Sequence, residues 1–442
     1  MSMAVAAGLR RLGLGARPGE REALGDAPAA RLRAQLDGPD SAPVRPGAGA
    51  RLAQVAAARA ATPDAKSTLP RQIYEEEAHA RMLQRLRSPQ PFRERWVAFW
   101  SNVLTVSVTN RRVLPLAGAF EHEVVRPRVT ATFTDLLVAA VQHPAMLLYL
   151  DNQRSVGPRS AAGRAGGGLN ENLAREVLEL HTLGVDGGYG QADVGALARL
   201  LTGWSVNERP PPGADGFMFR ADAHEPGVQH LLGVPLTARG GAQGAGVRAL
   251  QMLAAHPSTA RHLSRRLAAH FIDPEPAPGL VSDLAAAFSR SGGDLGVMAT
   301  VLLDRPEAWS STSSRVSAPD DWFTAAGRAI GLDLAWAADP RIEGLALRGL
   351  RALGQAPWSA PSPAGWSDEG APWGGSAGLM QRIELAERIV HRGAPPDVDP
   401  LTRAADVWGP RLSARTAAAI GDAPDLATAW CMVLLSPEMI RR

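Results

Sequence analysis

The chain has 442 residues, 45% hydrophobic and 21% charged, so it can bury a large core and does not belong to the wholesale-disordered class. Its net charge is only +3 and Lys66 is the only lysine, so the isoelectric point near 9.6 reflects arginine used in place of lysine. The arginines are scattered among acids and apolar residues without a nucleic-acid-binding signature; they read as a coding bias, and no nucleic-acid partner is expected.

Residues 1–38 read as a short helix, a turn at GLGARPGE and a second helix. No strand precedes those glycines, so they are not a dinucleotide fingerprint. The start has an apolar stretch too short for a signal peptide, and no run reaches the ~18 apolar residues of a membrane span. The expectation is a soluble, cytoplasmic protein, exported only if a partner carries it. Residues 39–70 mix a Pro/Gly-rich break, an alanine-arginine helix and TPDAKSTLP, and read as a flexible connection with a boundary near 70.

Helical periodicity is clearer from there. In PFRERWVAFWSNVLTVS, Phe92, Trp96, Phe99, Trp100, Val103 and Leu104 form one broad aromatic face, which reads as core. TDLLVAAVQHPAMLLYLDN is a second apolar helix that Pro144 must break after His143, a capping or packed histidine. GPRSAAGRAGGG, residues 157–168, lacks P-loop spacing and reads as a mobile loop. One small β-hairpin is expected near 216–234, from the alternating Phe217 and Phe219 and a turn at Pro226 and Gly227. Helices then continue to the end, around a loop rich in proline and tryptophan. The expected fold is mainly α, an irregular multi-helix assembly with one small hairpin insertion. Three segments are expected: residues 1–70, a helical core over 71–310, and a C-terminal helical subdomain over 311–442. Cys431, the sole cysteine, excludes an intramolecular disulfide and a cysteine zinc site, and reads as an inert buried thiol.

The densest stretch is LNENLAREVLELHTLGVDGGYGQADVGALARLLTGW, residues 169–204. On a regular helical wheel Leu173, Ala174, Val177, Leu180 and His181 share one side. Glu171, Asn172, Arg175, Glu176 and Glu179 share the other. The histidine and glutamates therefore point apart, which excludes the Glu-x-x-His geometry of a di-iron site. HEXXH spacing is absent as well, and no metal or cofactor is expected. Glu171, Arg175 and Glu179 are spaced for ion pairs along the helix, Asn170 suits an N-cap, and Gly184 suits a C-cap. Glu176, at the polar–apolar boundary, is expected to be less exposed than Glu171 and to need a donor from another segment.

HPAMLLYLDN, LNENLAREVLELHTLGVDGGY, DVGALARLLTGW, HEPG and SPEM, with GLRRLGLGARPGE, FWSNVLTVS, LGQAPW and GWSDE, are together similar to the bacterial family catalogued as domain of unknown function 1800. The resemblance covers nearly the whole chain. It implies a mostly helical protein of unassigned activity, often encoded beside an uncharacterised exported family that resembles sulfatases. Three positions depart from the family pattern. Ser101 and Val103 stand where histidines are usual, which undercuts a metal site there; Gly190 replaces a capping threonine; and Glu225 follows His224 where the family has HDPG.

Two functions follow as expectations. One is a non-catalytic partner or assembly protein for the co-encoded exported family. The other is an enzyme, possibly a hydrolase, with a polar pocket lined by Asn172, Arg175, Glu176, Glu179, His224 and Glu225. A further possibility is that Trp358, Trp366 and Trp373 stack on sugar rings.

Overall fold

The computed structural model describes residues 3–61, 67–237, 241–310, 315–333, 340–368, 373–393 and 398–442. Helices dominate, as the periodicity predicts, and one apolar cluster runs from Val5 through the central helices to Met439. Among the described residues, no helix is long and apolar enough to cross a membrane.

The Leu69–Arg87 and Pro91–Val103 helices form the axis on which the rest is laid. Ser88 separates them: its amide closes the first helix on Gln84 and its hydroxyl accepts the Gln90 amide. The aromatic face of the second helix is core. Phe92, Trp96, Phe99 and Trp100 are at most 2% exposed and meet one another, Phe271 and Phe133 at ring separations of 5.0–6.4 Å. Trp96 satisfies its indole N–H on the Val129 carbonyl.

Pro144 divides the following apolar stretch into Phe133–Gln142 and Pro144–Tyr149. His143 caps the second piece through Nδ1, accepting the Ala145 amide, while Nε2 meets Glu123 at 3.0 Å. Cys431 is half-buried and burial raises the pKa of its thiol.

The β insertion consists of two hairpins where one was expected. Phe217–Phe219 pairs antiparallel with Trp204–Val206, because Trp204 is fully buried and packs edge-on against Phe217. Gln229–Leu231 pairs with Val234–Leu236 across Leu232 and Gly233, both at positive φ, so Pro226 and Gly227 do not form the hairpin turn. Residues 157–168 contain a helical turn, Ala161–Arg164, and are tied down by Gly157 to Ala223 and Val156 to Gly168.

The chain ends meet. The Met3–Leu12 helix places Arg10 against Ser317 Oγ at 2.7 Å and the Met439 carbonyl at 2.8 Å, and Arg11 against the Glu307 carbonyl at 2.6 Å.

Candidate functional site

The Asn172 stretch begins as an α-helix, Asn172–Glu176, and continues as a π turn, Val177–His181. A π turn accommodates an extra residue, so later positions rotate off the regular wheel. Leu173, Ala174, Val177 and His181 are buried as the wheel predicts, but Leu178 occupies the core while Leu180 is half-buried. Neither ring nitrogen of His181 has a protein partner, and burial, reinforced by Arg266 and His262, pushes the imidazole pKa down to about 3.

The polar face is held locally. Asn170 Oδ1 accepts the amide of exposed Asn172 at 2.9 Å, and Arg175 reaches Glu171 at 3.4 Å and Gln191 at 3.0 Å. Among the described residues Arg175 forms no ion pair with Glu179, and no donor from another segment reaches Glu176. Glu176 and Glu171 are both half-buried, and burial followed by repulsion from Glu179 raises the Glu176 pKa. The stretch ends at His181 with Thr182 as its C-cap, so Gly184, at φ +86°, turns the chain two residues beyond the cap position expected of it.

His224 and Glu225 belong to a different set of contacts. His224 Nδ1 meets the Thr202 carbonyl at 2.9 Å. Glu225 is 3% exposed and accepts the Arg159 amide and Nε, at 2.8 and 2.6 Å, while its own amide donates to Thr202 Oγ1. This turn thereby fastens the glycine-rich segment to the helix–strand junction. Among the described residues no bond joins it to the Asn172–Glu179 face. Gly190, lacking a capping hydroxyl, donates its amide to Asp193, which also accepts the Leu232 amide and so steadies the second hairpin.

A denser constellation lies elsewhere, around a cavity of about 100 Å³ at the FWSN, LGQAPW and GWSDE motifs. That volume has room for about three waters. Arg81 and Arg85, one turn apart, and Arg95 on the next helix face the first turn of the Pro319–Ile330 helix. Asp321 takes Arg95 in a two-pronged pair at 3.0 and 2.8 Å and Arg442 at 2.8 Å, with Arg85 at 3.5 Å. Burial alone would raise the Asp321 pKa, but Arg95 and Arg85 hold it well below the usual carboxylate range. Asp320 meets Arg81 and Arg85 at 3.5 and 3.6 Å, leaving Oδ1 without a partner. Arg85 and Arg95 are each 1% exposed, and the Nε–H of each lacks an acceptor. Arginines read from sequence as compositional bias are thus, at this place, buried charges with defined partners.

Glu121 stands behind Ser101 and Trp358, on a second π turn, Glu121–Val125. It accepts from Arg81 at 2.9 Å, Ser101 at 3.3 Å and Trp358 Nε1 at 3.3 Å. Burial opposes its ionisation, but Arg81 and Arg126 outweigh burial and bring the carboxyl pKa down to about 2. Ser101, one of the family departures, is therefore a working part of this wall, whereas Val103 is fully buried core.

On the opposite wall His270 Nδ1 lies 2.6 Å from Asp368 Oδ1, with Arg266 3.8 Å from the same carboxylate. Burial lowers the imidazole pKa more than Asp368 raises it, so the ring is neutral with its proton on Nδ1. The remaining nitrogen, Nε2, is buried and has no partner. Phe99 and Phe271 flank the ring at 5.2 and 4.7 Å.

The loop that brings Asp368 here is clamped to the Pro91–Val103 helix. Asn102 exchanges two hydrogen bonds with the Trp366 backbone, at 2.9 and 2.7 Å, and Ser107 donates to the Ala360 carbonyl. At Gly365, φ is +80° and a Cβ would sit 2.5 Å from the Asn102 carbonyl oxygen, so the clamp closes only on glycine. Trp358 holds φ +51°, a left-handed conformation that a bulky residue keeps only under constraint; Arg81 covers its ring and Val108 binds its carbonyl. Of the three tryptophans singled out for stacking, Trp358 and Trp366 line the cavity and Trp373 packs against Trp366 at 5.9 Å.

The sequence reading missed this site because its parts lie up to hundreds of residues apart, and each looked local: an aromatic core helix, a Trp-rich loop, scattered arginines. The available signal was charge on otherwise apolar faces, in FRERW and PDDW. Among the described residues no three His, Cys, Asp or Glu side chains converge in a metal-holding arrangement. No curated protein and no solved structure matches the chain. The family model that does match, over residues 8–441, ties the scattered motifs of this site and of the Asn172 stretch into one pattern, and by it the chain belongs to the family described as Protein of unknown function (DUF1800).

Proposed function

We propose that this protein is an enzyme that performs general acid–base chemistry on a small molecule held in the Arg95–Asp321–His270 cavity. The observation that carries this reading is His270, with one ring nitrogen committed to Asp368 and the other unpartnered at the wall of a charged cavity. An imidazole in that tautomer takes a proton at Nε2, and the carboxylate stabilises the imidazolium as it forms. Nε2 is closed to solvent, so the lining at half-buried Trp366 and exposed Ser367 must open before a bound molecule reaches it. We place Asn172, Arg175, Glu176, Glu179, His224 and Glu225 outside this chemistry: the bonds of Arg175, His224 and Glu225 tie segments together, and among the described residues Glu176 takes no donor from another segment. A broad hydrolase and isomerase substrate screen tests the proposal. Any activity found should fall by about 10²- to 10⁴-fold in His270→Gln, and also drop in Asp368→Asn, with circular dichroism unchanged. Full activity in both variants sinks it.

A second reading, partnership with the co-encoded exported family, is supported by Leu379, Met380 and Leu426, exposed by 43–61% on two helices that pack together. Co-purification of the two proteins tests it, and loss of the complex in Met380→Glu is the expected outcome.

A further inference from the structure

We infer that the cavity at His270 selects a small organic acid, with its carboxylate held by a surplus of guanidinium charge and its carbon skeleton lying against the apolar wall. The inference rests on the cavity reading above and adds the ligand class. Five arginines line the cavity against three aspartates, with His270 neutral, so the lining carries two more positive than negative charges. Behind it, Glu121 and Asp273 are matched by Arg266 and Arg10, so the excess stands.

Buried charge without a counter-charge is unfavourable, and this surplus is felt by its neighbours. Burial lowers the Arg315 and Arg266 pKa values, with Asp368 only partly opposing it, and burial likewise takes Arg10, behind Asp321, down to about 9. An anion in the cavity relieves that imbalance where water, being neutral, does not.

The walls decide which anion. Ala98, Val106, Ala356, Pro357 and Ala360 line the cavity together with the Trp358 and Trp366 rings. Phosphate and sulfate present oxygen on every side and would leave that surface unmatched. A monocarboxylate on a short chain places its charge at the arginines and its carbon at the alanines and tryptophans. The volume, about 100 Å³, limits it to about four to six non-hydrogen atoms, since benzene takes a cavity of roughly 150 Å³.

Calorimetric titration and thermal shift at constant ionic strength test the inference with propionate and lactate as carboxylate probes, their neutral counterparts propionamide and lactamide, and inorganic phosphate. At least one of the two carboxylates should bind saturably and raise the melting temperature, and its neutral counterpart should not. Arg81→Gln, which removes a partly accessible charge, should weaken that binding about ten-fold. Ala98→Leu, which fills the cavity and removes no charge, should abolish it with the circular dichroism spectrum unchanged. Phosphate binding as tightly as the carboxylates overturns the organic-acid assignment. So does equal binding of the neutral probes, or binding that persists in Ala98→Leu, or no binding by any probe. If an activity dependent on His270 survives that failure, only the ligand class is wrong. If acids bind while His270→Gln keeps full activity, the acid–base reading is wrong and the binding site stands.

Discussion

His181 shows how a single side chain can set the acid behaviour of this fold. Its folded pKa, about 3, lies below the ordinary 6.5, and burial also lowers those of His262 and His270. A histidine kept neutral by the fold is protonated more readily when unfolded. The stability tied to it is therefore complete above about pH 6.5 and falls as pH drops through the window toward the folded value. Glu121 and Glu77, held at about 2, are depressed carboxylates, so their contribution is lost only below the ordinary 4.5. Between pH 6.5 and 4.5 the decline is thus carried by histidine, at about 1.4 kcal/mol per pH unit for each group that titrates fully. Denaturant unfolding across this range should show the decline, and His181→Leu should flatten it by about one such slope. An unchanged slope in the variant would mean that His181 is not held neutral. Glu176 runs the other way. Its pKa is raised by burial and by Glu179, so its charge opposes folding at neutral pH. Glu176→Gln should leave the melting temperature unchanged or raise it slightly, and a clear drop would reveal a partner for this carboxylate.

At the level of elements, the Pro319–Ile330 helix is docked by its first turn. Asp321 gathers Arg95, Arg442 and Arg85, while the Asp320 amide is taken by Gln355 Oε1 at 2.9 Å. Asp321→Asn leaves those buried guanidinium groups uncompensated, which should destabilise the protein by about 3–5 kcal/mol in denaturant titration. A change below about 1 kcal/mol would show that solvent or another acid takes over. The 354–368 loop depends on a steric condition. Gly365→Ala should destabilise by about 1–3 kcal/mol and free the Trp366 backbone from Asn102, read as faster amide exchange at Trp366.

For the molecule as a whole, the ends of the chain share one core. Gly8 lies against Trp309 so closely that a Cβ would sit 2.4 Å from the ring, and Leu12 is fully buried. Leu12→Ala should therefore destabilise by about 2–5 kcal/mol, with residues near 317 and 439 losing amide protection together with those near 12. Independent loss of the N-terminal helix alone would contradict this coupling.

Helix content, the Pro144 break, the aromatic core face and the His143 cap were all legible along the chain, since each depends on local periodicity or on the backbone chemistry of one residue type. Family membership was legible for a related reason: it rests on the order of many short motifs, whatever they touch in space. The register after Glu176 was not, because a π turn and an α turn can be written with the same residues and only packing around Leu178 and His181 chooses between them. Strand pairing escaped similarly, since Phe217 could alternate against either neighbour until Trp204 took the interior. The cavity was the least legible feature. Glu121, His270, Asp321 and Asp368 acquire their altered protonation from burial and from charges distant in sequence, as when Arg95 reaches Asp321 across a separation of 226 positions, and burial and charge proximity exist only once the chain has brought them together.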